Sequence, residues 1–290
     1  MTAMTLADPR STKARNQVLE LPDGTRLAGL LWAVPRSRGT VVIAHGLGEH
    51  IGRYLHVADA LNARGWNVVG FDHRGHGLSS GARGATPADA LPFDLAYAIE
   101  RTREGMASPL VLLGHSMGGA LASDVVVRGL ARVDALVLSS PAFAVSMTPA
   151  QERTLAIGER VAPTLAAANG LDPLGISRDP MVVSQYVNDP LVHDRITPRL
   201  ARTIIDAAAR ALEAASYWPV PTLLVYAGED RLVDPRGSDR FAAVAHASNV
   251  TSRRYDELFH EIFNEPESAA VLADVGAWLD ERFPLETGVR

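Results

Sequence analysis

The chain has 290 residues, 47% of them apolar, which suffices for one sizeable core with a small appended unit but not for two independent domains. Its formal net charge is −5 and its 28 lysines and arginines are scattered, so the basic stripe that nucleic-acid phosphates require is missing and no nucleic acid is expected as a partner. The absence of cysteine excludes disulfides, a thiol nucleophile and thiolate metal sites.

Residues 1–15 lack the apolar run of a signal peptide, and no later stretch approaches the roughly 20 apolar residues of a membrane span. A flexible segment over 1–15 and a cytoplasmic location are therefore expected. Residues 16–34 read as two strands around the turn residues Pro22, Asp23 and Gly24. Beyond them, TVVIAH (40–45), NVVGFD (67–72), PLVLLGH (109–115), DALVLSS (134–140) and PTLLVYAG (221–228) are short apolar runs rich in valine and leucine, as in parallel strands covered on both faces. Helical spacing fills most intervals, over 54–64, 88–104 and 117–130, which is the alternation of a doubly wound sheet.

One interval breaks the rhythm. Between Phe143 and Tyr217 no strand pattern occurs, while 14 alanines and helical stretches such as 200–215 lie among six prolines. The economical division is a core over 16–143 and 217–290 with a helical cap inserted over 144–216. The alternative is a set of ordinary extra helices packed on the sheet.

Directly after PLVLLGH comes Gly114-His115-Ser116-Met117-Gly118-Gly119, followed by a helical run. A G-x-S-x-G between strand and helix forces its serine into a strained turn that projects the hydroxyl clear of the sheet, at a helix N-terminus that favours negative charge. Ser116 is the expected nucleophile. It needs a base to take its proton and an acid to orient that base. His260 follows a strand expected over 249–255 and precedes a helix expected over 266–283, a loop position where open α/β sheets build sites. By contrast, His246 reads as a surface helix residue, His45 as a strand end and His115 as a pocket neighbour of the serine. Asp230, after the strand PTLLVYAG, completes the chain order Ser, Asp, His. Asp234, before Pro235, reads as a helix cap, and Glu229 is a third choice. The oxyanion donors are expected to be the backbone N–H of Met117 and, from the glycine-flanked loop His45-Gly46-Leu47-Gly48, that of Leu47.

These motifs, with Glu49, His50, Arg53 and Tyr54 after the first loop, Asp72-His73-Arg74-Gly75-His76-Gly77, GEDRLVD and HEIFNEPE, resemble the monoacylglycerol lipases of the bacterial lysophospholipase-like branch of the α/β-hydrolases, with a serine aminopeptidase-type hydrolase domain. The resemblance extends from Gly24 to Leu279 and includes Ser177-Arg178-Asp179-Pro180 and residues 186–193 of the suspected cap. It implies an α/β-hydrolase fold, that is, a mostly parallel eight-stranded sheet with helices on both faces and an inserted helical cap. It further implies ester cleavage of monoacylglycerols through an acyl-enzyme on Ser116, with no cofactor or metal. A cap tunnel would take the acyl chain, and Glu49, Arg53, His115 and Tyr186 would hold the glycerol. By the same analogy the cap's apolar rim, around 161–165 and 181–183, would rest on lipid, unless those residues form a buried cap interior. A lysophospholipase, a carboxylesterase or a thioesterase could run on the same triad, as could a serine aminopeptidase, and a catalytically silent lipid-binding protein is the alternative outside enzymes. A histidine base predicts a rate rising through roughly pH 6 to 7.

Overall fold

The computed structural model describes residues 14–145 and 147–284. Of the segment expected to be flexible, residues 1–13 lie outside the described residues, whereas Ala14 and Arg15 already belong to the first strand.

The hairpin is β1 (Ala14–Glu20) and β2 (Arg26–Trp32), paired antiparallel. Then follow β3 (Gly39–Ala44), α1 (Leu55–Ala63), β4 (Trp66–Phe71), α2 (Ala90–Gly105), β5 (Leu110–His115), α3 (Met117–Val127) and β6 (Ala135–Ser139). The interval after β6 holds α4 (Pro149–Val161), β7 (Ala167–Ala168), α5 (Pro180–Asn188), β8 (Arg195–Ile196) and α6 (Pro198–Ala214). The chain closes with β9 (Thr222–Ala227), α7 (Arg236–Val244), β10 (Val250–Tyr255) and α8 (Ser268–Arg282). Eight strands form one sheet in the order β1-β2-β4-β3-β5-β6-β9-β10, antiparallel only at the β1-β2 and β2-β4 pairs.

Strand alternation sorts the apolar residues onto two faces. Val42, Leu112, Leu136 and Leu224 point to one core, with α2, α3, α6 and α7; Val41, Val111, Val137 and Val225 point to the other, with α1 and α8. The central strands are covered on both sides, which is why their sequence reads as an unbroken apolar run.

The prolines between β6 and β9 start helices rather than merely cutting them. Pro149, Pro180 and Pro198 each occupy the first helical turn, after Thr148, Asp179 and Thr197, whose side chains accept N–H bonds as N-caps. The three helices differ in burial: α6 buries seven residues, α4 and α5 none. Leu200, Ile204, Ala207 and Ala211 belong to the same apolar cluster as α3, and Arg210 reaches across to the buried carboxylate of Asp124 on α3. Within 144–216, α6 therefore packs against α3 as part of the core, whereas α4 and α5 before it bury no residue. Two further differences are small. β7 and β8 form a two-residue ladder too short to show a period, and α7 ends at Val244, which leaves His246 in an exposed turn rather than on a helix.

Candidate active site

The turn at Ser116 has the strain its motif implies, with φ 54° and ψ −120°. Its neighbours must be glycines because the backbone closes on itself: a Cβ on Gly118 would lie 2.1 Å from the carbonyl oxygen of Ala44, and one on Gly114 would lie 2.5 Å from that of Gly118. The Ser116 N–H donates to the carbonyl of Ser139 (3.0 Å), and the Ser116 carbonyl accepts from Gly119, Ala120 and Ala142. The backbone is thereby fixed. The side chain makes no capping bond to α3, which leaves the hydroxyl available.

His260 and Asp230 meet from separate loops. His260 Nδ1 lies 2.6 Å from Asp230 Oδ2, both side chains almost fully buried, while Oδ1 accepts the N–H groups of Leu232 and Val233 at 2.9 Å each. The carboxylate fixes the tautomer with the proton on Nδ1, so that Nε2 is the basic nitrogen. Burial alone would push the His260 pKa down. The attraction and hydrogen bond of Asp230, with the nearby carboxylates of Glu261 and Glu49, outweigh it and raise the pKa above the ordinary value. Asp234 bonds to Arg236 instead, through both backbone and side chain, and Glu229 is exposed.

Leu47 and Met117 follow β3 and Ser116, and their N–H groups have no acceptor among the described residues. The peptide that carries the Leu47 N–H is held from behind. His45 Nε2 accepts the N–H of His73 (2.9 Å), so its Nδ1 carries the proton and donates to the carbonyl of Gly46 at 2.8 Å. In a trans peptide the C=O and N–H point in opposite directions, so anchoring the Gly46 carbonyl aims the Leu47 N–H the other way. Burial, reinforced by His73 and His76, lowers the His45 pKa far below the ordinary value and keeps the ring neutral. The sequence reading passed over His45 as a strand end. Its place two residues before Leu47 was the available signal.

Glu49 and Arg53 bond to each other. Arg53 Nη1 reaches Glu49 Oε2 (2.7 Å) and Glu261 Oε1 (2.6 Å), and Nη2 reaches Glu261 Oε2 (2.7 Å). The second Glu49 oxygen accepts from the Tyr54 hydroxyl (2.7 Å) and from the N–H of Gly46 (2.6 Å). One buried cation thus joins two carboxylates, and Glu261, next to His260, is a member that the sequence reading missed. Burial would raise the Glu261 pKa, but Arg53 lowers it on balance. Tyr186 lies with its ring 4.8 Å from the Arg53 guanidinium carbon. His115 stacks 4.8 Å from the His260 ring, and burial, then His260, pull its pKa down to about 4. Glu49, Arg53, His115 and Glu261 line a narrow cavity. A second cavity of about 210 Å³ opens beside α5, lined by Leu171, Ile176, Tyr186, Val187, Val192 and Leu232 and also by the polar Asn169, Asp172, His193 and Asp194. It borders the triad loops, because Leu232 donates to Asp230 and the Ile176 carbonyl accepts the N–H of Glu261.

A strained serine between a central parallel strand and a helix, in an eight-stranded sheet of this order, defines an α/β-hydrolase. Residues 35–267 match the serine aminopeptidase (S33) family of hydrolases, and the chain belongs to that family. It is 36% identical over 268 residues to the monoacylglycerol lipase of Mycolicibacterium smegmatis, covering 88% of this chain and 93% of that one. It is 30% identical over 255 residues to a phospholipase of Bacillus subtilis, covering 86% and 98%. The crystal structure of Paleococcus ferrophilus monoacylglycerol lipase superimposes with a TM-score of 0.81 at 33% identity, covering 88% of this chain and 99% of that one.

Proposed function

We propose that this protein is a monoacylglycerol lipase that releases glycerol and a fatty acid through an acyl-enzyme on Ser116. The observation that carries the reading is the 2.6 Å bond between His260 Nδ1 and Asp230 Oδ2, which leaves Nε2 as the base for the strained serine. Ser116 attacks the ester carbonyl as Nε2 takes its proton. The N–H groups of Leu47 and Met117 hold the oxyanion, and His260 passes the proton to the departing glycerol oxygen. Water then attacks the acyl-enzyme by the same route. The carboxylates of Asp230, Glu261 and Glu49 favour the imidazolium that forms in between.

The cavity beside α5 takes the acyl chain against Leu171, Ile176, Val187, Val192 and Leu232. The glycerol sits toward His115 and Tyr186. Glu49 and Arg53 serve it from behind, because the bonds between them and to Glu261 already occupy most of their polar atoms. The outer helices form a cap whose rim rests on lipid. Support comes from Val161 (74% exposed), Leu165 (70%) and Met181 (63%), which face outward rather than into a cap interior. Among the described residues no helix is long and apolar enough to cross a membrane.

A hydrolysis panel tests the substrate assignment. Monoacylglycerols are expected to be cleaved in preference to di- and triacylglycerols, lysophospholipids, short p-nitrophenyl esters and an aminoacyl amide. The relationship to a phospholipase makes the lysophospholipid arm decisive, and preference for it would overturn the assignment.

A further inference from the structure

Residues 186–193, the last turn of α5 and the stretch after it, meet residues 46–53 at three successive points. The Tyr186 ring lies against the Arg53 guanidinium, Asp189 Oδ2 lies 2.9 Å from His50 Nε2, and the His193 N–H donates to the Gly48 carbonyl at 2.8 Å. The last contact leaves no room for a side chain: Gly48 has φ +78°, and a Cβ there would lie 2.3 Å from the His193 carbonyl oxygen. His50 Nδ1 accepts the N–H of Gly52 (3.2 Å), so its Nε2 carries the proton and donates to Asp189 with the ring neutral.

Leu47 lies between two sets of anchors. Upstream, Gly46 is held by core groups, its carbonyl by His45 and its N–H by Glu49. Downstream, Gly48 and His50 are held by residues of the inserted segment, His193 and Asp189.

We infer that Asp189 is a positioning residue for the oxyanion hole, and that seating the cap on the loop completes the hole. The inference rests on the reading of Leu47 as an oxyanion donor. In the cap's seated position the loop is fixed from both sides. When residues 186–193 lift, the downstream half is released and the Leu47 N–H loses its aim, so turnover requires a closed cap whether or not the substrate needs the acyl cavity. Misplacing a donor by about 1 Å suffices to cost one to two orders of magnitude in rate.

The test exploits the two separate jobs of Asp189. Its Oδ1 accepts the N–H of Leu191 (2.8 Å) in a local turn after α5, and its Oδ2 reaches His50. Asp189→Ser keeps an oxygen for the local turn but is too short for His50, and Asp189→Asn keeps the turn's acceptor but turns its NH2 donor toward the His50 Nε2–H, whereas His50→Gln keeps an amide donor for the intact Asp189 carboxylate. With a short p-nitrophenyl ester, Asp189→Ser and Asp189→Asn are expected to lower kcat about tenfold or more with KM within about twofold, and His50→Gln is expected to stay close to the parent. Equal behaviour of Asp189→Ser and His50→Gln, or a loss confined to KM, would overturn the inference. If Asp189→Ser does not fold, His50→Gln, which keeps an amide donor toward Asp189, and His50→Leu, which removes it, are compared by the same criterion. Ser116→Ala in the same assay separates the two readings: residual hydrolysis there overturns the assignment of the nucleophile. A fully active Asp189→Ser beside an inactive Ser116→Ala overturns only the role of the cap.

Discussion

The interval between β6 and β9 contains two kinds of helix. In α6, Leu200, Ile204, Ala207, Ala211 and Ala214 recur every three or four residues and face α3, and Arg210 ties the same surface to Asp124. In α4 and α5 no residue is buried, and Ile157, Val161 and Met181 are exposed. Small and apolar residues at regular helical spacing in α6, missing from α4 and α5, are what separates floor from roof. The difference divides labour. The floor fixes the strained serine through α3, while the roof borders the acyl cavity and touches the loop of Leu47.

This division predicts effects of very different size. The largest belongs to the proposed triad beneath the roof: Asp230→Asn should leave the fold intact but favour the wrong His260 tautomer, lowering kcat by about four orders of magnitude, as steady-state kinetics would read. Next comes Leu200→Ala, which opens a cavity in the cluster that α6 shares with α3 and should cost about 2 to 5 kcal/mol in denaturant unfolding. Ile157→Ala, on the roof, should stay within about 0.5 kcal/mol of the parent. Similar losses at the two sites would dissolve the distinction. Exchanging Val161 and Leu165 for aspartate should weaken liposome binding without moving kcat on a soluble ester, and unchanged binding would remove the lipid-facing role of the roof.

Protons draw a further contrast, between buried histidines whose pKa is lowered and the proposed base, whose pKa is raised. Burial lowers the pKa of His73 to about 4, and burial then His260 do the same for His115. The unfolded chain binds these protons near the ordinary value of about 6.5 and the folded chain does not. Stability should therefore fall as pH drops from about 6.5 toward about 4, which melting temperatures across that range would measure. The catalytic rate has a different origin. His260 must be neutral to act as base and its pKa is raised, so kcat/KM should rise with an inflection above about 6.5, later than an unperturbed histidine would give.

The strands were legible because central parallel strands are apolar on both faces, and Ser116, Asp230 and His260 because the chain order and the loop ends leave few candidates. What resisted reading were contacts without local period or motif. Nothing near Asp124 announces that a buried carboxylate will hold Arg128 and Arg210, and the Glu261 to Arg53 pair joins residues 208 positions apart. His45 was visible but its role depends on a tautomer, which only the His73 N–H determines. The extent of the insertion was blurred because alanines recur through the whole interval, although only those of α6 stand at regular helical spacing.

The central claim is that Ser116 carries an acyl group from a monoacylglycerol, and the most direct measurement is glycerol release from a monoacylglycerol by the parent protein and by Ser116→Ala side by side. The parent should release glycerol and fatty acid in equal amounts, and the variant, folded to the same melting temperature, should be slower by at least about a thousandfold. Comparable release by Ser116→Ala, or none by the parent, would contradict it.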